Sequence, residues 1–186
     1  MEQTLRTKKI ILIALITAVT CILAPLSIPI PISPVPISLT NLVLLISVYL
    51  LDVKSATISY LAYLLLGLVG LPIFSGFSGG AHKLAGPTGG YLIGFIPFVI
   101  ICGLSVKYLK NRALIFCAFM LATIVAYAFG TLWLAQSLEI GFIEGLAIGV
   151  FPYIIGDVTK CILALMLGPV LAKRLGAYKI TLPASS

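Results

Sequence analysis

The sequence contains very little charge. Of its 186 residues only 9% are Asp, Glu, Lys or Arg, whereas 61% are hydrophobic. About a quarter of the residues of an ordinary soluble domain are charged, so this chain has too few polar side chains to cover a water-exposed exterior. The composition excludes a soluble globular protein. It predicts an integral membrane protein in the lipid bilayer, with one domain over residues 1–186.

Residues that hold metals or carry out catalysis are also scarce. His82 is the single histidine, and the four cysteines form no CxxC pair, so we expect no metal site. The sequence has no Walker A pattern, no HExxH and no Ser/His constellation. We therefore expect neither enzymatic activity nor a cofactor, and ATP hydrolysis by this chain alone is disfavoured.

Hydrophobic runs divide the chain into six expected membrane spans. Several are shorter than the ~20 residues that a perpendicular helix needs, so tilted or bent helices are expected. The expected fold class is an all-α integral membrane protein, a bundle of six transmembrane helices. The runs cover roughly 10–24, 37–51, 55–71, 91–106, 113–137 and 142–171.

The basic residues follow this topology. Six spans place both termini on one side, and ten of the twelve Lys and Arg residues then fall on that side. Because basic residues concentrate on the cytoplasmic side of membrane proteins, both termini are predicted to be cytoplasmic, in the cell membrane. Topology thus explains the net charge of +7, and nucleic acid is not an expected partner. The ten residues are Arg6, Lys8, Lys9, Lys54, Lys107, Lys110, Arg112, Lys173, Arg174 and Lys179.

Two connections on the opposite side have an unusual composition. Residues 25–36 contain five prolines and no charge, so we expect an extended segment lying on the protein or at the membrane interface. Residues 70–90 contain seven glycines, which suits a backbone that crowds a ligand or folds over a cavity. A flexible linker is the alternative interpretation of the glycine-rich connection.

Asp157 and Lys160 are the only charged residues in the run 145–171. A charge near the bilayer centre costs a few kcal/mol and usually faces a bundle interior or a water-filled cavity. At this i,i+3 spacing the two side chains can touch, so a self-satisfied ion pair is one interpretation. A ligand site is the other, because a buried ion pair often stabilises no better than apolar packing. Pro152 and Gly156 could loosen the helix just upstream.

A further pattern is the spacing of Ala14 and Ala18, which places two small residues on one face of the first helix. Such a face lets another helix approach closely inside a bilayer. A partner protein and a neighbouring helix of the same bundle explain it equally well.

Two stretches resemble the BioY family, the biotin-specific substrate-binding (S) components of energy-coupling-factor (ECF) transporters. They are GLPIFSGFSGGAHKLAGPTGGYLIGF at 70–95 and FPYIIGDVTKCILALML at 151–167. The resemblance covers nearly the whole chain and implies a six-helix bundle that captures biotin from outside. It also implies that an AxxxA motif, matched by Ala14 and Ala18, docks on a transmembrane coupling subunit driven by two ATPase subunits.

With biotin as the implied ligand, the charged pair acquires roles. Asp157 is assigned the ureido N–H groups, and Lys160 either the ureido carbonyl or the carboxylate. The alternative function is a self-sufficient, proton-coupled secondary transporter of a small carboxylate or vitamin, although no inverted repeat is evident. The other expected ligand contacts are Asn41, Thr88, Gly89, Gly90, Tyr91 and Trp133.

Overall fold

The structure, a computed structural model, describes residues 2–175, so Lys179 of the predicted cytoplasmic set lies outside the described residues. The described chain is mostly helical, with one two-stranded sheet, β1 (Ile28–Ile30) and β2 (Ser33–Ile37). The helices are α1 (Glu2–Leu23), α2 (Thr40–Leu50), α3 (Val53–Leu68), α4 (Ala81–Ala85), α5 (Gly89–Tyr108), α6 (Arg112–Leu138), α7 (Phe142–Gly149) and α8 (Ile154–Arg174).

The chain is a multi-pass membrane protein by the length and composition of its helices. Among the described residues, three helical segments can cross a bilayer: Gly89–Tyr108, Arg112–Leu138, and Phe142–Arg174 with its internal break. α2 and α3 are apolar but only 11 and 16 residues long. At 1.5 Å per residue they extend about 16 and 24 Å, less than the ~30 Å hydrocarbon core.

The proline-rich connection is a β-hairpin, so the expectation of an all-α chain is wrong for residues 28–37. β1 and β2 pair antiparallel, with Ile28 opposite Ile37 and Ile30 opposite Ser33. Proline cannot donate a ladder hydrogen bond and is confined to edge strands. Both strands of a two-stranded sheet are edges, and the paired positions are non-proline residues, so the alternating prolines are compatible with the hairpin.

The last hydrophobic run forms one candidate span, Phe142–Arg174, and it is broken near Pro152, where the sequence indicated that the helix could loosen. α7 ends at Gly149, and a 3-10 turn at Phe151–Tyr153 containing Pro152 precedes α8. Asp157 therefore lies in the first turn of α8 and not deep inside a continuous helix. A carboxylate is favoured there because the N-terminal end of a helix carries partial positive charge.

The two ends of the bundle differ in character. The N-terminal ends of α2, α5 and α8 meet at one end, together with the hairpin and the 69–88 connection. At the other end, Lys9 of α1 forms a 3.0 Å ion pair with Asp52 between α2 and α3. Burial raises the pKa of Asp52, but hydrogen bonds from Ser55 and Lys9 and the charge of Lys9 outweigh burial, so the pKa lies below its ordinary value.

Candidate ligand-binding site

A cavity lies where the N-terminal ends of α2, α5 and α8 meet, between β2 and the 74–88 segment. It holds about 590 Å³ of space, counting its open mouth. Small-molecule pockets commonly have mostly apolar walls and a few polar groups that orient the ligand. The cavity has this composition, because its apolar and aromatic wall includes a few charged and polar side chains.

Asp157 and Lys160 form an ion pair in the cavity wall. Lys160 Nζ lies 3.0 Å from Asp157 Oδ1, and it also donates to the backbone carbonyl of Ser38 at 2.8 Å. The side chains are only 12% and 11% exposed for the lysine and the acid. Because Ser38 follows β2 directly, Lys160 connects α8 to the end of the hairpin.

Two further side chains bind the Asp157 carboxylate. Asn41 on α2 donates its amide N–H to Oδ1 at 2.8 Å, and Tyr127 on α6 donates its hydroxyl to Oδ2 at 2.5 Å. Charge-assisted hydrogen bonds of this kind are stronger than neutral ones. Three donors from three helices therefore offset the cost of burying the charge, and they fix the orientation of Asp157.

Lys83 is a second cation in the cavity wall. It belongs to the 69–88 connection, whereas Lys160 lies on α8. Lys83 lies in α4 and is half-buried. Burial lowers the pKa of its amine below the ordinary value, because desolvation disfavours the charged form. Among the side chains described, from Arg6 to Leu175, the ion pairs are Lys9–Asp52 and Lys160–Asp157, so Lys83 has no carboxylate partner there.

Aromatic side chains form much of the remaining wall: Phe74, Tyr91, Phe95 and Tyr153. The Tyr91 hydroxyl donates to the carbonyl of Gly149 at 2.9 Å, which connects α5 to the C-terminal end of α7. The Tyr153 hydroxyl donates to the carbonyl of Val35 and thus holds β2 against the 3-10 turn. These rings give the cavity rigid apolar faces with their polar ends satisfied by backbone.

Five of the eight ligand contacts expected from the sequence line the cavity: Asn41, Thr88, Tyr91, Asp157 and Lys160. Their contact with a ligand stays a prediction.

The other three lie beside the cavity. Trp133 is 37% exposed and donates its indole N–H to the carbonyl of Gly86 at 3.0 Å. Gly90 packs against Trp133, whose Cβ would lie 2.3 Å from an added Cβ, and Gly89 packs against the backbone of Leu84. The structure places these residues where they support the 74–88 segment, and a direct ligand contact for them stays a prediction.

The sequence predicted no role in the site for Ser38, Lys83 and Tyr153, which line the cavity, or for Tyr127, which hydrogen-bonds Asp157 from α6. A loop lysine normally faces solvent, and a backbone carbonyl such as that of Ser38 leaves no mark in a sequence. The two tyrosines offered a weak signal, since each places a hydroxyl in a largely apolar run.

Ala14 and Ala18 are both exposed on the outer face of α1. The inner face packs on α3, where the Thr17 and Ser59 hydroxyls lie 2.9 Å apart. Close packing inside the described bundle therefore does not involve the two alanines, and docking of a partner protein on them stays a prediction.

A bundle of apolar helices with an oriented ion pair in an apolar-walled cavity defines a class: multi-pass membrane proteins that bind a small polar molecule. The model of the BioY family matches residues 1–177. The chain belongs to the BioY family.

Individual relatives agree with this assignment. A probable biotin transporter BioY of Pyrococcus horikoshii is 34% identical over 166 residues, covering 88% of this chain and 95% of that protein. The biotin transporter BioY of Thermotoga maritima is 34% identical over 140 residues, covering 75% of this chain and 82% of that protein. Among solved structures, the S-component for biotin from an ECF-type ABC transporter matches with a TM-score of 0.84 and 32% identity, covering 93% of this chain and 95% of that one.

Proposed function

We propose that this chain is an S component that captures biotin in the cavity and delivers it across the cytoplasmic membrane. The observation that carries the proposal is the Asp157–Lys160 pair in the cavity wall. A carboxylate has about four acceptor positions and an ammonium group has three donors. Asp157 uses three acceptor positions and Lys160 two donors in the described structure.

One acceptor position and one donor are therefore left on two groups 3.0 Å apart. A ureido ring presents an N–H next to a C=O, which is the complementary arrangement. Biotin can thus donate an N–H to Asp157 and accept from Lys160 without breaking the ion pair. This assigns Lys160 to the ureido carbonyl.

Lys83 then takes the carboxylate of the biotin valerate chain. It lines the same cavity from the opposite connection and has no carboxylate partner among the described side chains. A cation already desolvated by the protein gains from a carboxylate partner, because the pair replaces the lost hydration. The aromatic walls between the two ends suit the apolar ring and chain.

The orientation in the membrane follows from the basic residues. The end with Lys9 and Asp52 lies away from the cavity, and most basic residues of the sequence fall on its side of the six expected spans. We assign this end to the cytoplasm, with both termini, so that the cavity opens outwards. Ala14 and Ala18, exposed on α1, form the docking face for the ECF transmembrane coupling subunit, which two ATPase subunits drive.

Calorimetry with the purified chain in detergent tests the ligand. Wild type should bind biotin, whereas Asp157→Asn and Lys160→Gln should each weaken binding by at least about tenfold, as expected for losing a charged hydrogen bond. Thr159→Val is the matched control, since Thr159 lies between them on α8 and is exposed. Wild-type affinity in both pocket variants would overturn this assignment of the site.

Uptake into proteoliposomes tests the source of energy. The chain alone should bind biotin without concentrating it, and ATP-driven uptake should require the coupling subunit and both ATPase subunits. Replacing Ala14 and Ala18 by leucine should abolish that uptake but leave binding intact. Concentrative uptake by the chain alone, driven by a proton gradient, would instead support the secondary transporter.

A further inference from the structure

Tyr127 contacts Asp157, the proposed ligand-binding residue, from the side away from the cavity. It reaches Asp157 from α6, and it is not among the residues that line the cavity. Its hydroxyl bonds Oδ2, whereas Asn41 and Lys160 both bond Oδ1. The contact is thus the single described hydrogen bond on that oxygen, made from outside the ligand space.

We propose that Tyr127 is a positioning residue for ligand recognition. Its hydroxyl holds the Asp157 carboxylate so that its free acceptor position faces the N–H donors of the ligand. Without Tyr127, the Asp157 carboxylate keeps the two hydrogen bonds to Oδ1. It can then rotate about its Cβ–Cγ bond, so the direction of Oδ2 is no longer fixed. The inference rests on the proposed function, because it presupposes that Asp157 accepts a ureido N–H.

The residues around the carboxylate support this role. The other charged group in contact is Lys160, which also holds the Ser38 carbonyl. Asn41 is fixed separately, because its own Oδ1 accepts from the backbone N–H of Leu42 at 3.1 Å. Both side chains that bond the Asp157 Oδ1 are therefore held by a further contact, Asn41 within α2 and Lys160 at the Ser38 carbonyl, and Tyr127 fixes the direction of Oδ2.

A double-mutant cycle, in which one change is made in Tyr127 and the other in a ureido N–H of the ligand, tests the proposal. Affinities of wild type and Tyr127→Phe are measured by calorimetry for biotin and for its two derivatives methylated on one or the other ureido nitrogen. Tyr127→Phe should lower the affinity for biotin by about tenfold, the usual effect of losing a hydrogen bond to a charged group. For the derivative whose methyl group replaces the N–H bonded to Asp157, Tyr127→Phe should lower the binding affinity by less than about threefold. That ligand no longer donates to Oδ2 of Asp157, the oxygen that Tyr127 positions.

Tyr63→Phe is the matched control, since it removes one tyrosine hydroxyl that bonds the Ile73 carbonyl at 3.2 Å and does not touch Asp157. It should change every affinity by less than about twofold. Where the phenylalanine variant does not fold, Tyr127→Met lacks the same donor and carries the same expectation.

An unchanged affinity for biotin in the Tyr127 variants, or an equal loss for all three ligands, would overturn the positioning role. If wild type binds no biotin, the proposed function fails and this inference with it. If wild type binds biotin and Asp157→Asn binds equally well, the assignment of Asp157 fails, and the role of Tyr127 again falls.

Discussion

The contact between Tyr91 and Gly149 gives the sharpest test of the cavity wall. A Cβ added at Gly149 would lie 2.2 Å from the Tyr91 hydroxyl oxygen and 2.8 Å from Cδ2 of Leu134, well below the 3.4–4 Å of ordinary contact. Overpacking of this kind costs ~1–3 kcal/mol, and losing the Tyr91 hydrogen bond adds ~0.5–1.5 kcal/mol. The better helix propensity of alanine offsets about 1 kcal/mol. Gly149→Ala should therefore destabilise the protein by about 0.5–3.5 kcal/mol.

Thermal unfolding in detergent measures this effect. For a chain of this size, 1 kcal/mol corresponds to ~2–4 °C, so the midpoint should fall by about 1–14 °C. Gly141→Ala is the control, since an added Cβ there meets nothing within 4 Å. Combining Gly149→Ala with Tyr91→Phe removes the clashing oxygen, and the double variant should be more stable than the sum of the single effects. A midpoint for Gly149→Ala equal to that of the control would refute the packing of Tyr91 on α7.

Three further changes test other parts of the structure. Lys83→Gln should lower the affinity for biotin by about tenfold in calorimetry but leave the affinity for biotin amide, which lacks the carboxylate, nearly unchanged. An equal loss of affinity for both ligands would contradict the assignment of Lys83 to the carboxylate. Asp52→Asn should lower the thermal stability at neutral pH, because the Asp52 pKa is depressed and its stabilisation is present above the ordinary value of 3.8. The difference from wild type should shrink as the pH falls through and below 3.8, and a pH-independent difference would argue against the ion pair with Lys9. Tyr153→Phe frees β2 at Val35 and should accelerate biotin dissociation in stopped-flow measurements; an unchanged rate would mean that this contact does not restrain the hairpin.

The sequence predicted those features whose signals are local. A lone acid and base in an apolar run stand out because burial makes them costly, and the structure places Asp157 and Lys160 in the cavity wall. The spacing of Ala14 and Ala18 is likewise visible along one helix face, and partner docking on it stays a prediction. Hydrophobic runs located most helices to within a few residues, since the bilayer demands long apolar segments.

Features that depend on distant segments were missed. The prolines of residues 25–36 predicted an extended chain, but the pairing of that chain with itself depends on a turn that the composition does not specify. The burial of Lys83 leaves no signal in the sequence, because it depends on how the 74–88 segment folds over the bundle. The bond from Tyr127 to Asp157 joins residues 30 positions apart, and a tyrosine in an apolar helix has many other possible partners.

The sequence left two alternatives for Asp157 and Lys160, a pair that satisfies itself or a pair that binds a ligand. The geometry makes these alternatives compatible. Asn41, Tyr127 and the Ser38 carbonyl hydrogen-bond the pair, so the free energy of desolvating both charges is compensated when the protein folds. A ligand that binds there, as proposed, would meet groups that are already oriented and dehydrated, and it would lose little affinity to reorganisation of the site. If the pair had to open first, binding would have to supply the free energy that separates the two charges, so we expect the pair to remain closed when biotin binds.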